Sequence, residues 1–192
     1  LKTHYQREYA SALLTSVMSS SDKMNEYIAD CQKQRIKILP PDINKSRSSF
    51  HVEGKSIRFG MAAMKNVGES FIKSIVLERE RGGDFASVED FIDRMKKLDM
   101  NKRQLEMLIK SGTLDSLGVK RSALLAVYET LLEKTSSQSA SLEGQIGLFD
   151  TKIEVAIPKP SKIEFPDIPE FSPREKLMLE KESCGMYLSG HV

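Results

Sequence analysis

The stretch Ile57–Arg81, IRFGMAAMKNVGESFIKSIVLERER, decides how this chain folds. It reads as a helix, a tight hairpin and a second helix. The hairpin is Met64-Lys65-Asn66-Val67-Gly68. Gly68 closes the turn, where the backbone can take positive φ without steric cost. Asn66 belongs to the few other residue types that tolerate the left-handed region. Val67, between them, is expected to point inward. Beyond Gly68, the spacing of Phe71, Ile72, Ile75 and Val76 predicts a helix with one buried stripe. The start of that helix presents unpaired N–H groups at Val67, Gly68 and Glu69. With no side chain at position 68, a phosphate can approach them closely.

This is the pattern of a helix-hairpin-helix motif, which grips the nucleic-acid backbone without reading bases. Asn66 stands where such motifs usually carry a glycine. Lys65 and Lys73 flank the expected phosphate position; the alternative for both is a solvated helix face. Residues 98–112 resemble a second, degenerate copy. There Asn101 is a helix cap with Gln104 at the capping-box position, and Gly112 stops the helix. Lys102, Arg103 and Lys110 are expected to give this unit a basic surface.

Working outward, two amphipathic helices precede the hairpin, over Tyr5–Met18 and about Lys23–Arg35. Met24, Tyr27, Ile28 and Cys31 share one face of the second, which makes Cys31 a core residue. Ile36–Leu39 is short and extended and is ended by Pro40-Pro41. Phe50–Val52 and Ile57–Phe59 alternate apolar and polar around Glu53-Gly54-Lys55 and predict a small β-hairpin, with His51 on its polar face. After Gly82-Gly83, Ser87 and Asp90 read as a capping box for a helix burying Phe91, Ile92, Met95 and Leu98. Lys120–Lys134 is a further helix. Thr135–Ser141 reads as a flexible linker, and 151–171 as a proline-rich extended chain. Ser172-Pro173 starts a last helix, which Gly185 ends.

Composition is that of a soluble globular protein: 40% hydrophobic, 29% charged, net charge +2. The charge is unevenly placed. Residues 55–121 hold 14 Lys+Arg against 10 Asp+Glu, and residues 135–192 hold 6 against 9. The hairpin region is therefore basic and the tail acidic, which suits salt-sensitive contact with DNA. Cys31 and Cys184 allow neither a disulfide framework nor a zinc pattern, and a reducing cytoplasm is expected. No apolar run approaches a membrane span. No residues supply a general base, a metal cluster or a phosphate-cradling P-loop. The three histidines are scattered, without acidic partners in a motif.

Gln145-Ile146-Gly147-Leu148-Phe149 sets two large apolar side chains in a polar segment. Something must cover them: this chain's own flank or a partner. A glutamine followed by Leu-Phe is how a short peptide anchors in an apolar pocket.

Together these residues resemble the bacterial replicative DNA polymerase III α subunit family, polymerase family C. The matching phrases are Tyr9-Ala-Ser-Ala-Leu-Leu-Thr-Ser16, Ile38-Leu-Pro-Pro-Asp-Ile-Asn-Lys-Ser46, Ile57-Arg-Phe-Gly60, Lys65-Asn-Val-Gly68, Asn101-Lys-Arg103, Leu108-Ile-Lys-Ser-Gly112 and Tyr187-Leu-Ser-Gly-His191. They follow the family's order along nearly the whole chain. The resemblance implies a segment covering the end of the fingers and the clamp-binding domain. The chain opens on Leu1 and closes inside the last of these phrases, as expected of a piece of a longer protein. The family's clamp-binding pentapeptide reads Gln, Leu, a small or polar residue, Leu, Phe. Gln145, Leu148 and Phe149 match it, Ile146 replaces leucine, and Gly147 takes the third place.

The expected fold is mainly α: a helical domain with a helix-hairpin-helix motif and one small β-hairpin, followed by an extended tail. The expected parts are the fingers' C-terminal end (1–48), the clamp-binding domain (49–134), a linker carrying the clamp motif (135–171) and a helix leading to an OB-fold (172–192). DNA contacts are expected at Lys65, Asn66, Val67, Gly68, Lys73, Lys102 and Arg103, and clamp contacts at Gln145, Ile146, Leu148 and Phe149. The expected partners are duplex DNA, the sliding clamp (β subunit) and other replisome subunits, with no membrane. The resemblance places the catalytic palm, a DNA-directed DNA polymerase using magnesium, before Leu1, so no active site and no cofactor are expected here. The alternative is an independent helix-hairpin-helix protein of DNA repair.

Overall fold

The structure is a computed structural model. It describes residues 5–143 and 164–188, with side chains for 5–132 and 164–188. Among these residues the chain is mainly helical. In order run α1 (Gln6–Ser16), α2 (Ser21–Lys33), β1 (Ile38–Leu39), β2 (His51–Glu53), β3 (Ser56–Arg58), α3 (Glu69–Gly82), α4 (Val88–Lys96), α5 (Lys102–Lys110), α6 (Arg121–Glu143) and α7 (Pro173–Cys184).

The expected β-hairpin is β2–β3, paired antiparallel with Val52 opposite Ile57. A third strand was not read from the sequence. The extended Ile38-Leu39 pairs in parallel with β3, so the sheet order is β1-β3-β2. Arg58 of the central strand ties all three together. Its guanidinium donates to both carboxylate oxygens of Glu53 (2.7 and 2.6 Å) and to the Pro40 carbonyl (2.8 Å). This forked pairing has fixed geometry as well as charge.

Ahead of the hairpin the structure departs from the expected helix. After β3 comes a 3-10 turn, Met61–Ala63. Gly60 packs so tightly that a Cβ there would sit 2.6 Å from the Phe50 nitrogen. The sheet thus holds the chain through Gly60, and too few residues remain before the turn to nucleate an α-helix.

The Pro41–Ser46 loop is a hub. Ile43 N–H donates to the Thr113 carbonyl (2.9 Å). Asn44 exchanges two hydrogen bonds with the Phe85 backbone (2.9 and 2.8 Å). Arg79 of α3 donates to the Ile43 and Ser46 carbonyls (2.7 and 2.9 Å). The buried Ser46 hydroxyl donates to the Phe59 carbonyl (3.0 Å). One continuous core runs from Leu14 of α1 through Ile57, Ile72 and Phe91 to Met186. Cys31 and Cys184 are both buried, and burial pushes the Cys184 thiol up to about 12.

Three further expectations change in detail. Ser87 accepts the Asp90 N–H (3.2 Å), but the Asp90 carboxylate reaches past Ser87 to the Ala86 N–H (3.0 Å), so the box is one residue wider. Leu98 lies beyond the end of α4 and is 39% exposed. Helix α6 continues through Thr135–Ser141, read as a linker, to Glu143. No glycine or proline interrupts 121–143; the first breaker is Gly144.

Residues 164–171 have no regular secondary structure, and they cap α6. Glu170 accepts the N–H groups of Arg121 (3.1 Å), Ser122 (3.1 Å) and Phe171 (2.9 Å). Two orphan donors of the α6 N-terminus are thereby satisfied by an anion at the positive end of the helix dipole. Desolvation works against the Glu170 charge. The bonds from Phe171, Ser122, Lys176 and Arg121 outweigh it and bring the carboxyl down to about 2. The folded value lies below the ordinary carboxylate range, so its contribution is complete above about pH 4.5 and fades as pH falls towards 2. Glu170→Gln is expected to cost about 1 kcal/mol at neutral pH, because the half-buried carboxylate keeps part of its hydration. Urea denaturation of both proteins from pH 7 to pH 2 checks this. The gap between them should close as pH falls; a constant gap refutes the capping charge.

Candidate nucleic-acid interface

The hairpin adopts the backbone that its residues predict. Asn66 has φ +59° and Gly68 φ +84°. Val67 is buried at 2% exposure, while Lys65, Asn66, Gly68, Glu69 and Ser70 are exposed. Among the described residues nothing lies within 4 Å of where a Gly68 Cβ would be, which leaves the space over the turn open. Helix α3 starts at Glu69, with Gly68 as its cap residue and no side-chain cap. Phe71, Ile72 and Ile75 are buried, which fixes the helix axis on the core. The exposed helix start is thus held in place, and its first N–H groups have no partner within the helix.

Two other helices hold the turn. The Lys65 N–H donates to the Ser183 carbonyl at the end of α7 (2.8 Å). The Val67 carbonyl accepts from Gln104 Nε2 of α5 (3.0 Å). Gln104 is also half of the expected capping box: its Oε1 accepts the Asn101 N–H (2.9 Å), and Asn101 Oδ1 accepts the Gln104 N–H (2.9 Å). The first turn of α5 is therefore fixed beside the first turn of α3. This brings Lys102 and Arg103 into the same neighbourhood as Lys65–Gly68, although 37 positions separate Gln104 from Val67.

The expected cations differ in availability. Lys65 is exposed, and no carboxylate lies within ion-pair distance among the described residues. Lys73 pairs with Glu69 one helical turn back (2.8 Å), both largely exposed. Arg103 meets Glu106 at 3.4 Å, and Lys102 stands 4.0 Å from Glu129. The Lys73 and Lys102 pairs are exposed on both sides and weak, whereas Glu106, the partner of Arg103, has a side chain only 17% exposed. Lys110 is different and does not form part of a basic surface. Its side chain is only 14% exposed and pairs with Glu106 (2.6 Å) and Glu182 (2.7 Å). Desolvation opposes its charge, but the two carboxylates raise its pKa overall. Lys110 thus joins α5 to α7 and keeps both clamps on the turn in register.

Sequence reasoning found the turn and the cap. It missed Gln104 as a link to Val67, and it missed Ser183. The capping-box signature was the available signal for Gln104; a backbone carbonyl such as that of Ser183 leaves none. Among the described residues no group of three His, Cys, Asp or Glu side chains is placed to hold a metal, and no helix is long and apolar enough to cross a membrane. The clamp-motif residues Gln145, Ile146, Leu148 and Phe149 lie outside the described residues.

Comparison with known proteins bears on the same region. The helix-hairpin-helix motif family matches residues 35–124, which contain the sheet, the Lys65–Gly68 hairpin, α3 to α5 and the start of α6. Similar proteins include the DNA polymerase III subunit alpha of Thermus aquaticus (41% identical), of Deinococcus radiodurans (37%) and of Mycobacterium tuberculosis (38%). Each alignment covers 100% of this chain, and 15%, 14% and 16% of the respective relative. The chain thus spans roughly a sixth of the length of the curated relatives it matches.

Proposed function

The chain belongs to the DNA polymerase III α subunit family, and from this premise we propose that it is a non-catalytic segment that grips duplex DNA through its backbone and binds a sliding clamp. The observation that carries the first part is the Lys65–Gly68 turn. It is exposed, opens a helix whose first N–H groups have no partner within the helix, and is anchored from α5 and α7. An N–H array at a helix start binds phosphate oxygens whatever the base sequence. Lys65, Lys73, Lys102 and Arg103 add charge around it, which makes the grip salt-dependent.

Gly68→Val tests the grip. A β-branched residue at φ +84° strains the turn, and its methyl groups fill the approach to the N–H groups. Affinity for several unrelated duplexes, measured by fluorescence anisotropy, should fall about tenfold or more, by a similar factor for each. A loss confined to one sequence, or no loss in a folded variant, refutes the reading.

The clamp part rests on Gln145, Leu148 and Phe149, which match the residue types a short peptide uses to enter an apolar pocket. Polymerisation, its magnesium and contacts with other replisome subunits fall to the parent polypeptide in this proposal. An independent repair protein with a helix-hairpin-helix is disfavoured, because the similarity to the α subunits runs over the whole chain.

A further inference from the structure

We propose that Gln104 is a positioning residue for DNA-backbone recognition: its amide orients the Val67–Gly68 peptide so that the Gly68 N–H faces the phosphate. This rests on the backbone-grip reading above and adds to it a specific hydrogen-bonded device.

Among the described residues no peptide bond is cis. In a trans peptide the C=O and the following N–H point in opposite directions. The Val67 carbonyl accepts from Gln104 Nε2 on α5 (3.0 Å). The Gly68 N–H therefore points away from α5, and Gly68 is exposed with open space above it. Without the Gln104 donor, this peptide plane is free to rotate. Glycine resists such rotation less than any other residue, and Asn66 on the other side of Val67 is already in the left-handed region. A local alternative would then turn the Gly68 N–H away from the ligand.

The same amide has a second partner. Gln104 Oε1 accepts the Asn101 N–H and so closes the capping box of α5 (2.9 Å). One planar group thus links the start of α5 to the turn before α3. Lys102 and Arg103 stand in the turn that Gln104 caps, so their backbone positions are tied to the Val67–Gly68 peptide. The neutral donor and the backbone carrying two cations are then placed together, and less ordering is required when a phosphodiester strand binds. Lys110, bridging Glu106 and Glu182, holds α5 against α7 from the other side, where Ser183 accepts the Lys65 N–H.

The test uses the 192-residue chain and a short fluorescein-labelled DNA duplex. Gln104→Met keeps the length and packing of the side chain but removes both hydrogen bonds. Gln104→Glu keeps the acceptor for Asn101, since glutamate is the common capping-box residue, but cannot donate to Val67. Both variants should lose about tenfold in affinity. In amide NMR spectra, the Gly68 resonance should move on DNA addition in the parent chain and move much less in both variants. Gln104→Met removes no charge, so the slope of affinity against salt should stay unchanged. Lys65→Ala, by contrast, should lower that slope by about 1. Unchanged affinity and an unchanged Gly68 shift in Gln104→Met would overturn the proposal while leaving the grip intact. A loss confined to Gln104→Glu would mark a charge effect, and a loss confined to Gln104→Met a capping effect; either overturns it. A Gly68 resonance that ignores DNA in the parent chain would overturn the grip itself.

Discussion

Arg121→Ala is expected to destabilise the fold by about 3–5 kcal/mol. Arg121 sits at the start of α6 with a side chain 5% exposed. It donates to Asp115 (2.7 Å) and to Glu180 of α7, which is fully buried. Glu180 also accepts the Leu188 N–H (2.8 Å). The guanidinium occupies the space where a Cβ of Gly112 would stand, so the glycine that ends α5 is needed for contact as well as for its φ of +78°. Three helices therefore meet on one cation. Removing it takes the Arg121 charge and its two hydrogen bonds away from the fully buried Glu180 carboxylate, and that loss of compensation for burial is what the variant suffers. Urea denaturation followed by circular dichroism measures the loss. Replacing the pair together, Arg121→Met with Glu180→Leu, should recover most of it, because well-packed apolar side chains often match a buried ion pair. A single variant within 1 kcal/mol of the parent would show that water reaches Glu180.

Leu148 and Phe149 carry the second large expected effect, in binding instead of stability. Each apolar side chain entering a pocket contributes roughly 1.5–3 kcal/mol, and ordering the segment offsets part of this. The net affinity expected for so short a motif is about micromolar. Leu148→Ala with Phe149→Ala should therefore reduce affinity for a bacterial sliding clamp over a hundredfold, a loss of about 3 kcal/mol. Calorimetry with purified clamp checks the affinity, and circular dichroism checks that the helices persist. DNA binding should be unchanged, since the Lys65–Gly68 turn is held by α5 and α7. Unchanged clamp affinity would remove the motif from the proposed function. A collapsed fold would instead make both residues part of the core.

Together the two effects separate what holds this chain together from what it offers to partners. The buried Arg121–Glu180 pair and the Lys110–Glu182 bridge join α5, α6 and α7. The turn before α3 is then free to stay open, because its anchoring comes from behind.

Features that depend on a few adjacent residues are legible in the amino-acid order. Asn66 and Gly68 take positive φ because Asn and Gly tolerate it, and this sets the turn wherever it lies. Asn101 with Gln104, and Ser172 with Glu175, form capping boxes through bonds spanning three positions. The stripe of Phe71, Ile72 and Ile75 is a periodicity within one helix. The tertiary structure alone decided which groups face each other across long stretches of chain. Ile38-Leu39 became a strand because β3 lay open beside it. Lys110 changed from a free surface cation to an interhelical bridge because Glu182, 72 positions away, stands opposite. Gln104 gained the Val67 carbonyl across 37 positions, and Arg121 gained Glu180 across 59. Backbone preferences and apolar periods are local energies, so neighbouring residues reveal them. The environment of a charge or an amide depends on the element packed against it, and only the assembled core brings that element into place.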